Sequence, residues 1–343
     1  MRDYNEFCSI KSILLKSLRR RGTGGSVKHY LIRITAFFTA ILLSLSVLFS
    51  GCSSGRQKND KLSIVATLFP QYDFVRQVAG GLADVQLLLT PGTESHMYAP
   101  TTKDIMTIHG ADLFIYTGDD MEPWAAQIVQ GLPDTVTVLD VSKAVTLIEA
   151  SHEADSHGEE ESETHTHKAD PHIWLDPVNS MAITQAIAEA IAAKDPANTA
   201  QYQENAANYK KSLEKLDQDF IDLFAQAENP TLVFGGRFAY IYFLQHYGVH
   251  YVTAYTSCSS EAEPSVKAVA DVIAYVKAHQ IPVIFHEELT TPTIAATIAN
   301  ETGAQLKVFS TCHNVTKDEL ESGITYIDIM YQNMEHIKTA VLF

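Results

Sequence analysis

The sequence is poor in cysteine, with four residues in 343, and it contains neither a Cys-x-x-Cys pair nor a His-Glu-x-x-His motif. The first absence disfavours a zinc site built from paired thiolates, and the second excludes the helix on which many zinc proteases hold their metal. Basic residues are also few, with 25 Lys and Arg against 41 Asp and Glu. This acidic balance disfavours nucleic-acid binding.

The first 51 residues have the composition of an export signal. Basic residues, among them Arg19 to Arg21, precede an apolar stretch from Ile34 to Phe49 that is short for a membrane span. The stretch ends at Ser50-Gly51-Cys52, and small residues directly before a cysteine favour cleavage there, with a lipid attached to Cys52. A transmembrane helix is the alternative interpretation. We expect residues 1–51 to be a lipoprotein signal peptide and Cys52 to anchor the mature chain on the extracytoplasmic face of the cell membrane.

Removal of this signal would make the chain more acidic. Residues 1–51 hold eight basic and two acidic residues, so the remaining 292 hold 17 basic and 39 acidic residues, a formal charge of −22. Such a surface suits a soluble body tethered outside a cell, where it raises the local concentration of cations. A chain of this length and apolar content can bury two modest cores, which predicts two lobes.

Short β-rich segments alternate with helical ones on both sides of a long helical stretch. Strands are predicted at residues 62–67, 85–89, 113–116 and 136–139, and again at 232–234, 250–253, 283–285 and 306–309; the helices outside the central stretch include 72–78, 102–109, 124–129 and 324–342. This alternation predicts an α/β fold with a mostly parallel sheet in each half. Residues 178–228 have helical periodicity, and Pro196 predicts either two helices or one kinked helix there.

The most distinctive motif is Asp170-Pro171-His172-Ile173-Trp174-Leu175-Asp176-Pro177. Pro171 restricts Asp170 to extended conformations, and Pro177 favours the first turn of a helix that Asp176 can cap. His172 is therefore held at a helix entrance. A buried histidine in a tight turn is one interpretation, and a metal ligand is the other.

This motif resembles a segment of the zinc- and manganese-binding solute-binding lipoproteins of ABC importers, where it contains the second metal-binding histidine. The resemblance extends over about residues 62–343. It implies two α/β lobes joined by a long backbone helix, with the metal in the cleft between them. The domains are then a tether at 52–61, an N-terminal lobe at 62–176, a linking helix at 177–228 and a C-terminal lobe at 229–343.

His96 lies in the loop after the second predicted strand, between a Pro-Gly turn and Pro100. Ligands of open α/β sheets bind beyond the carboxyl ends of the strands, so this position suits a site residue. The resemblance implies that His96 is the first metal-binding histidine.

The third ligand of the family is missing here. In the family, a histidine or glutamate stands three residues before a Phe-Gly-Tyr-like element, and Phe238-Ala239-Tyr240 puts Gly235 at that position. His313, just after the last predicted strand, is the predicted replacement. A histidine in a surface turn is the alternative interpretation for His313, and His286 is a competing candidate.

Glutamates of the second half could add a carboxylate ligand, and the candidates are Glu261, Glu263, Glu287 and Glu288. Glu263 precedes Pro264, a pair that favours a helix start, which leaves Glu261 as the predicted fourth ligand, with water as its alternative.

Two cysteines of the mature chain lie beside these candidates, Cys258 near Glu261 and Cys312 next to His313. Outside a cell, such a pair is typically bridged, and a disulfide would tie the two loops together beside the cleft. Zinc binding by the two thiolates is the alternative.

Residues 151–167 hold four histidines and six acidic residues, and cannot bury a core. A solvated acidic loop is one interpretation. The histidine content instead favours weak, exchangeable binding of a transition metal, and imidazole ligands favour zinc over manganese. Some zinc-binding members of the family carry such a loop at this place.

Together these features predict a monomeric, lipid-anchored receptor that captures Zn(II), with Mn(II) less favoured, and delivers it to an ABC permease. A secreted zinc hydrolase is the alternative from another class, although no positioned general base is evident. A manganese receptor or a surface adhesin on the same fold is also compatible with the sequence. Because imidazole ligands must be neutral, we expect the zinc affinity to fall below about pH 6.5.

Overall fold

The structure is a computed structural model, and it describes residues 61–149, 169–255 and 263–342. The chain divides into two compact units, Met1–Asn59 and Asp60–Phe343, and the described residues all belong to the second. The predicted signal peptide, the lipidated cysteine, the tether up to residue 60 and the histidine-rich segment lie outside the described residues. No helix formed by the described residues is both long and apolar enough to cross a membrane.

The first half forms a four-stranded parallel sheet in the order β2-β1-β3-β4. Its strands are β1 (Leu62–Ala66), β2 (Ala83–Leu87), β3 (Leu113–Tyr116) and β4 (Thr137–Asp140), and its helices are α1 (Phe69–Ala79), α2 (Thr102–His109) and α3 (Pro123–Val129). All four strands run parallel, so the loops that follow them leave the sheet at one edge, where a ligand could bind.

Two helices follow the motif around His172, α4 (Pro177–Lys194) and α5 (Thr199–Phe224). Asp176 accepts a hydrogen bond from the backbone N–H of Val178 (2.7 Å), and Pro177 occupies the first turn, as the sequence predicts. A short 3₁₀ turn begins at Pro196 and reverses the chain, and Lys210 of α5 donates to Gln185 of α4. The central stretch is therefore two helices packed along each other, and α5 alone is about 39 Å long.

The second half repeats the first sheet, with strand order β6-β5-β7-β8 and every pair parallel. The strands are β5 (Thr231–Phe234), β6 (His250–Thr253), β7 (Val283–His286) and β8 (Gln305–Val308), and the helices are α6 (Ile241–Tyr247), α7 (Val266–His279), α8 (Thr293–Thr302), α9 (Lys317–Ser322) and α10 (Tyr326–Val341). Helix α9 was not predicted. It begins at a capping box between Thr316 and Glu319, and α10 begins at a second one.

One apolar core contains residues from both halves, including Phe74, Trp174, Leu213, Phe243 and Met330. Helix α10 takes part in it by packing against α1 and α5 as well as β5. Smaller cores cover the other face of each sheet. A shared, close-packed core holds the two sheets together firmly, because such interiors resist deformation.

Candidate metal centre

Three histidine side chains converge where the loops after β2, β4 and β8 meet. Candidate ligand atoms of His96, His172 and His313 all lie within 4.8 Å of one another. Their ring centroids are 5.6 Å apart for His96 and His172, 5.1 Å for His96 and His313, and 5.0 Å for His172 and His313. The structure thus brings together the three histidines that the sequence predicts, in a nearly equilateral triangle that we call the three-histidine cluster.

His172 is held by the aspartate two residues before it. Asp170 Oδ1 accepts hydrogen bonds from the backbone N–H of His172 and from its ring Nδ1, both at 2.9 Å. The side chain is 1% exposed, and Trp174 lies edge-on against the ring. A carboxylate on Nδ1 keeps the proton there, so that Nε2 has a lone pair for a metal.

His313 is held by a threonine, also two residues before it. Thr311 Oγ1 contacts His313 Nδ1 and lies 2.8 Å from Glu288 Oε1, and the backbone N–H of Thr311 donates to Glu288 Oε2. The other ring nitrogen of His313, Nε2, is buried and has no hydrogen-bond partner among the described residues. A buried polar atom of this kind needs a partner, and a metal ion would supply one.

His96 is the most accessible of the three and is positioned through its backbone. The backbone N–H groups of His96 and Met97 both donate to the carboxylate of Glu94 (3.0 Å each). The same carboxylate lies 3.7 Å from the guanidinium of Arg237, which comes from the second half of the chain. This ion pair therefore links the loop of His96 to the second half of the chain.

Further hydrogen bonds join the three loops directly. Trp174 Nε1 donates to the carbonyl of Thr311 (2.7 Å), which links the loops of His172 and His313. Asn314 Nδ2 donates to the carbonyls of Thr90 (2.7 Å) and Thr93 (2.9 Å), which links the loops of His313 and His96. These bonds organise the cluster before any ligand binds.

The environment keeps two of the imidazoles neutral. Burial, followed by the charge of His172 and then of Arg237, lowers the pKa of His96 to about 3. Burial and then the neighbouring histidines lower the pKa of His313 well below its ordinary value. The sequence predicts that the zinc affinity falls below about pH 6.5, the pKa of free imidazole. Because the pKa values of His96 and His313 are lowered, protonation of these two ligands weakens zinc binding only at lower pH.

The cluster fits a metal ion that prefers nitrogen ligands. Zinc binds imidazole nitrogens at about 2.0–2.1 Å, which puts two ligands of a tetrahedral site about 3.3 Å apart. Ligand atoms already within 4.8 Å need only small side-chain shifts to reach that separation. Of the described carboxylates, none belongs to the cluster, so three neutral nitrogens would leave one coordination position for another group.

The other predicted candidates lie elsewhere. A side chain at Gly235 has no room, because its Cβ would be 2.6 Å from Ala295 Cα of helix α8. His286 lies outside the cluster, and its Nδ1 donates to the carbonyl of Glu287 (2.7 Å). Glu263 accepts a hydrogen bond from Tyr255. Glu261 lies outside the described residues, so its predicted role stays a prediction.

The predicted disulfide receives no support from the described residues. Cys312 is buried and forms no disulfide with any described residue; its sulfur lies 3.9 Å from the sulfur of Met330, and burial raises the pKa of the thiol well above its ordinary value. Its φ of 60° is a left-handed conformation, uncommon for residues other than glycine. Cys258 lies outside the described residues, and the bond between the two stays a prediction.

Sequence reasoning did not find the residues that orient the ligands. Asp170 and Thr311 each place an oxygen on Nδ1 of the histidine two residues later, so the shared spacing was a usable signal. Trp174 and Asn314 act across the fold, through bonds to Thr311 and to the loop of His96. No local pattern indicates such long-range partners.

Residues 64–340 match the family described as zinc-uptake complex component A, periplasmic (ZnuA). The high-affinity zinc uptake system protein ZnuA of Bacillus subtilis is 35% identical over 290 residues, which cover 84% of this chain and 90% of that protein. The zinc-binding lipoprotein AdcA of Streptococcus pneumoniae is 32% identical over 300 residues. That match covers 87% of this chain but only 60% of AdcA, so this chain corresponds to part of the longer protein.

Solved structures share the fold. The Zn(II)-bound ZnuA-like domain of S. pneumoniae AdcA has a TM-score of 0.69 and 30% identity, covering 82% of this chain and 99% of that one. The laminin-binding protein Lmb of Streptococcus agalactiae, described as a bifunctional protein with adhesin and metal transporting activity, has a TM-score of 0.68 and 27% identity, covering 82% and 99%. From the family match over most of its length, and from relatives that share its fold, this chain belongs to the ZnuA family of zinc-uptake components.

Proposed function

We propose that this protein is the metal-binding receptor of an ABC importer and that it captures Zn(II) between its two sheets. The observation that carries the proposal is the three-histidine cluster, in which three imidazoles from separate loops converge. Membership in a family of zinc-uptake components supports the same function, and it favours a binding protein over an enzyme.

Zinc is favoured over manganese by the donor set. Imidazole nitrogen suits zinc, whereas manganese prefers carboxylate, carbonyl and water oxygens. The described carboxylates of Asp170 and Glu288 bond to Nδ1 of His172 and to Thr311, and neither belongs to the cluster. The fourth position is left for water or for Glu261.

We infer that the mature chain acts as a monomer held at the membrane by a lipid on Cys52 and that it delivers zinc to a membrane permease. The sequence at Ser50-Gly51-Cys52 supports the anchor, as does the description of AdcA, a relative, as a lipoprotein. Mass spectrometry of the mature chain should find a lipid attached to an N-terminal Cys52. A mature chain without that lipid would contradict the anchor without bearing on the metal site.

A hydrolytic function is the alternative that the experiment must address, because three histidines with an open fourth position also occur in catalytic zinc sites. The test is metal analysis of the purified mature chain, with competition between zinc and manganese. We expect one tightly bound zinc per chain, lost in a His96→Ala/His172→Ala double variant. A preference for manganese would contradict the proposal, and so would ester or peptide hydrolysis that requires zinc and is abolished by His172→Ala.

A further inference from the structure

His313 can bind a metal through Nε2, the ring nitrogen that does not contact Thr311, only if Nε2 carries a lone pair. A neutral imidazole has one protonated and one unprotonated nitrogen. The hydrogen-bond partner of Nδ1 therefore decides whether the proton is on Nδ1 or on Nε2. Nε2 of His313 is buried without a hydrogen-bond partner among the described residues, and Nδ1 contacts the hydroxyl of Thr311. A hydroxyl can donate or accept, so this contact alone is compatible with either tautomer.

The second contact of that hydroxyl removes the ambiguity. Thr311 Oγ1 is 2.8 Å from Glu288 Oε1, and the backbone N–H of Thr311 is 2.6 Å from Glu288 Oε2. Burial raises the pKa of the Glu288 carboxyl, and the two hydrogen bonds from Thr311 oppose that rise. In its ionised form the carboxylate only accepts hydrogen bonds, and the single hydroxyl proton of Thr311 then points at Glu288. The hydroxyl oxygen must then accept from Nδ1–H of His313, which leaves the lone pair on Nε2.

We propose that Glu288 is a positioning residue that determines, through the hydroxyl of Thr311, which ring nitrogen of His313 is presented to the metal. The inference rests on the proposed zinc function and goes one step beyond it. Glu288 does not contact the metal position itself. Its role parallels that of Asp170, which bonds directly to Nδ1 of His172.

We call the hydrogen-bonded series Glu288–Thr311–His313 the relay. It predicts a specific defect when the charge of Glu288 is removed but the shape of its side chain is kept. In a Glu288→Gln variant, the new amide can accept from the backbone N–H of Thr311 and donate its own N–H to Thr311 Oγ1. The hydroxyl then donates to His313 Nδ1, which places the proton on Nε2, where it blocks metal binding. Loss of an outer partner of this kind typically costs about 10–100-fold in metal affinity.

A matched control is available at the next residue. Glu287 lines the same pocket and carries the same charge, but its carboxylate accepts from the backbone N–H of Arg237 (3.1 Å). Glu287→Gln therefore changes the local charge equally without touching the relay. We expect Glu288→Gln to weaken zinc binding about 10–100-fold in competition with a chelator, and Glu287→Gln to stay within about twofold of the parent.

The tautomer itself can be read without any metal. Nitrogen-15 NMR of the metal-free mature chain should show His313 protonated on Nδ1 in the parent and in Glu287→Gln, and on Nε2 in Glu288→Gln. An unchanged tautomer in Glu288→Gln would overturn the proposal even if the affinity fell, because the loss would then be merely structural.

Variants of Thr311 make the test independent of how well Glu288→Gln folds. Thr311→Ser keeps the hydroxyl and should bind zinc like the parent, whereas the nearly isosteric Thr311→Val should weaken binding. Because Glu288 acts only through that hydroxyl, Glu288→Gln should add no further loss in the Thr311→Val background, and additive losses would overturn the relay. If His313→Ala keeps full affinity, the proposed zinc site fails; if His313→Ala loses zinc but Glu288→Gln matches Glu287→Gln, only the relay fails.

Discussion

Replacing His313 with alanine should weaken zinc binding as severely as replacing either of the other two histidines. The three ring centroids lie 5.0–5.6 Å apart, so each imidazole is an equivalent corner of the site. His313 is also the only one of the three that comes from the second half of the chain. Its removal would leave two neutral imidazoles from the first half.

The size of the effect follows from the energy of a zinc–ligand bond in proteins. Structural zinc sites with four protein ligands bind with apparent free energies of about 10–16 kcal/mol, or about 2.5–4 kcal/mol for each ligand. Since about 1.4 kcal/mol corresponds to a factor of ten, the loss of one imidazole should weaken the affinity about 10²–10³-fold.

Titration against a chromophoric zinc chelator measures this change directly. His286→Ala is the matched control, because His286 ends strand β7 and lies outside the cluster, and its removal should change the affinity by less than about threefold. Urea unfolding of the metal-free variants checks that His313→Ala, which truncates a side chain only 7% exposed, keeps its fold. If His313→Ala and His286→Ala bind zinc equally well, the three-histidine site is wrong.

Three further predictions concern other parts of the chain. Deleting residues 151–168 should remove weak equivalents of zinc and keep one tight equivalent in calorimetry; loss of the tight one would show that the segment belongs to the main site. Because burial lowers the pKa of His96 to about 3 and that of His313 well below its usual value, the unfolded chain binds more protons than the folded one below about pH 6.5. The free energy of unfolding of the metal-free chain should therefore fall from pH 7 to pH 5, and a His96→Gln/His313→Gln variant should lose much of that dependence; an equal slope in both would contradict the burial argument. Gly235→Ala should destabilise the protein by about 1–3 kcal/mol in urea unfolding, because its Cβ would overlap Ala295, and an unchanged midpoint would refute the close contact.

Much of the fold was predictable because its determinants are local. Alternating apolar strands and helices predicted both parallel sheets, and the α/β class and the family are confirmed. Pro177 and Asp176 act within one helical turn, so the start of α4 was also readable from the sequence. Domain boundaries within the chain stay predictions. Helix α9 was missed because it is six residues long and buries none of them, so it has no apolar stripe to detect.

The features of the metal site are likewise partly predictable from short sequence segments and partly visible only in the folded structure. The motif around His172 and the loop position of His96 are short-range features, and together with the family resemblance they predict both histidines as metal ligands. Gly235 signalled that a ligand was missing, but only the packing of helix α8 against it shows that no side chain fits there.

What the tertiary structure alone decided is the convergence of the cluster and the protonation of its nitrogens. His313 lies 141 residues after His172, and the two meet because Trp174 bonds to Thr311 across the shared core. Glu288, on a different loop, determines which way the hydroxyl of Thr311 points. Periodicity and turn chemistry act over a few residues, whereas hydrogen-bond direction between distant loops is set only when the sheets pack.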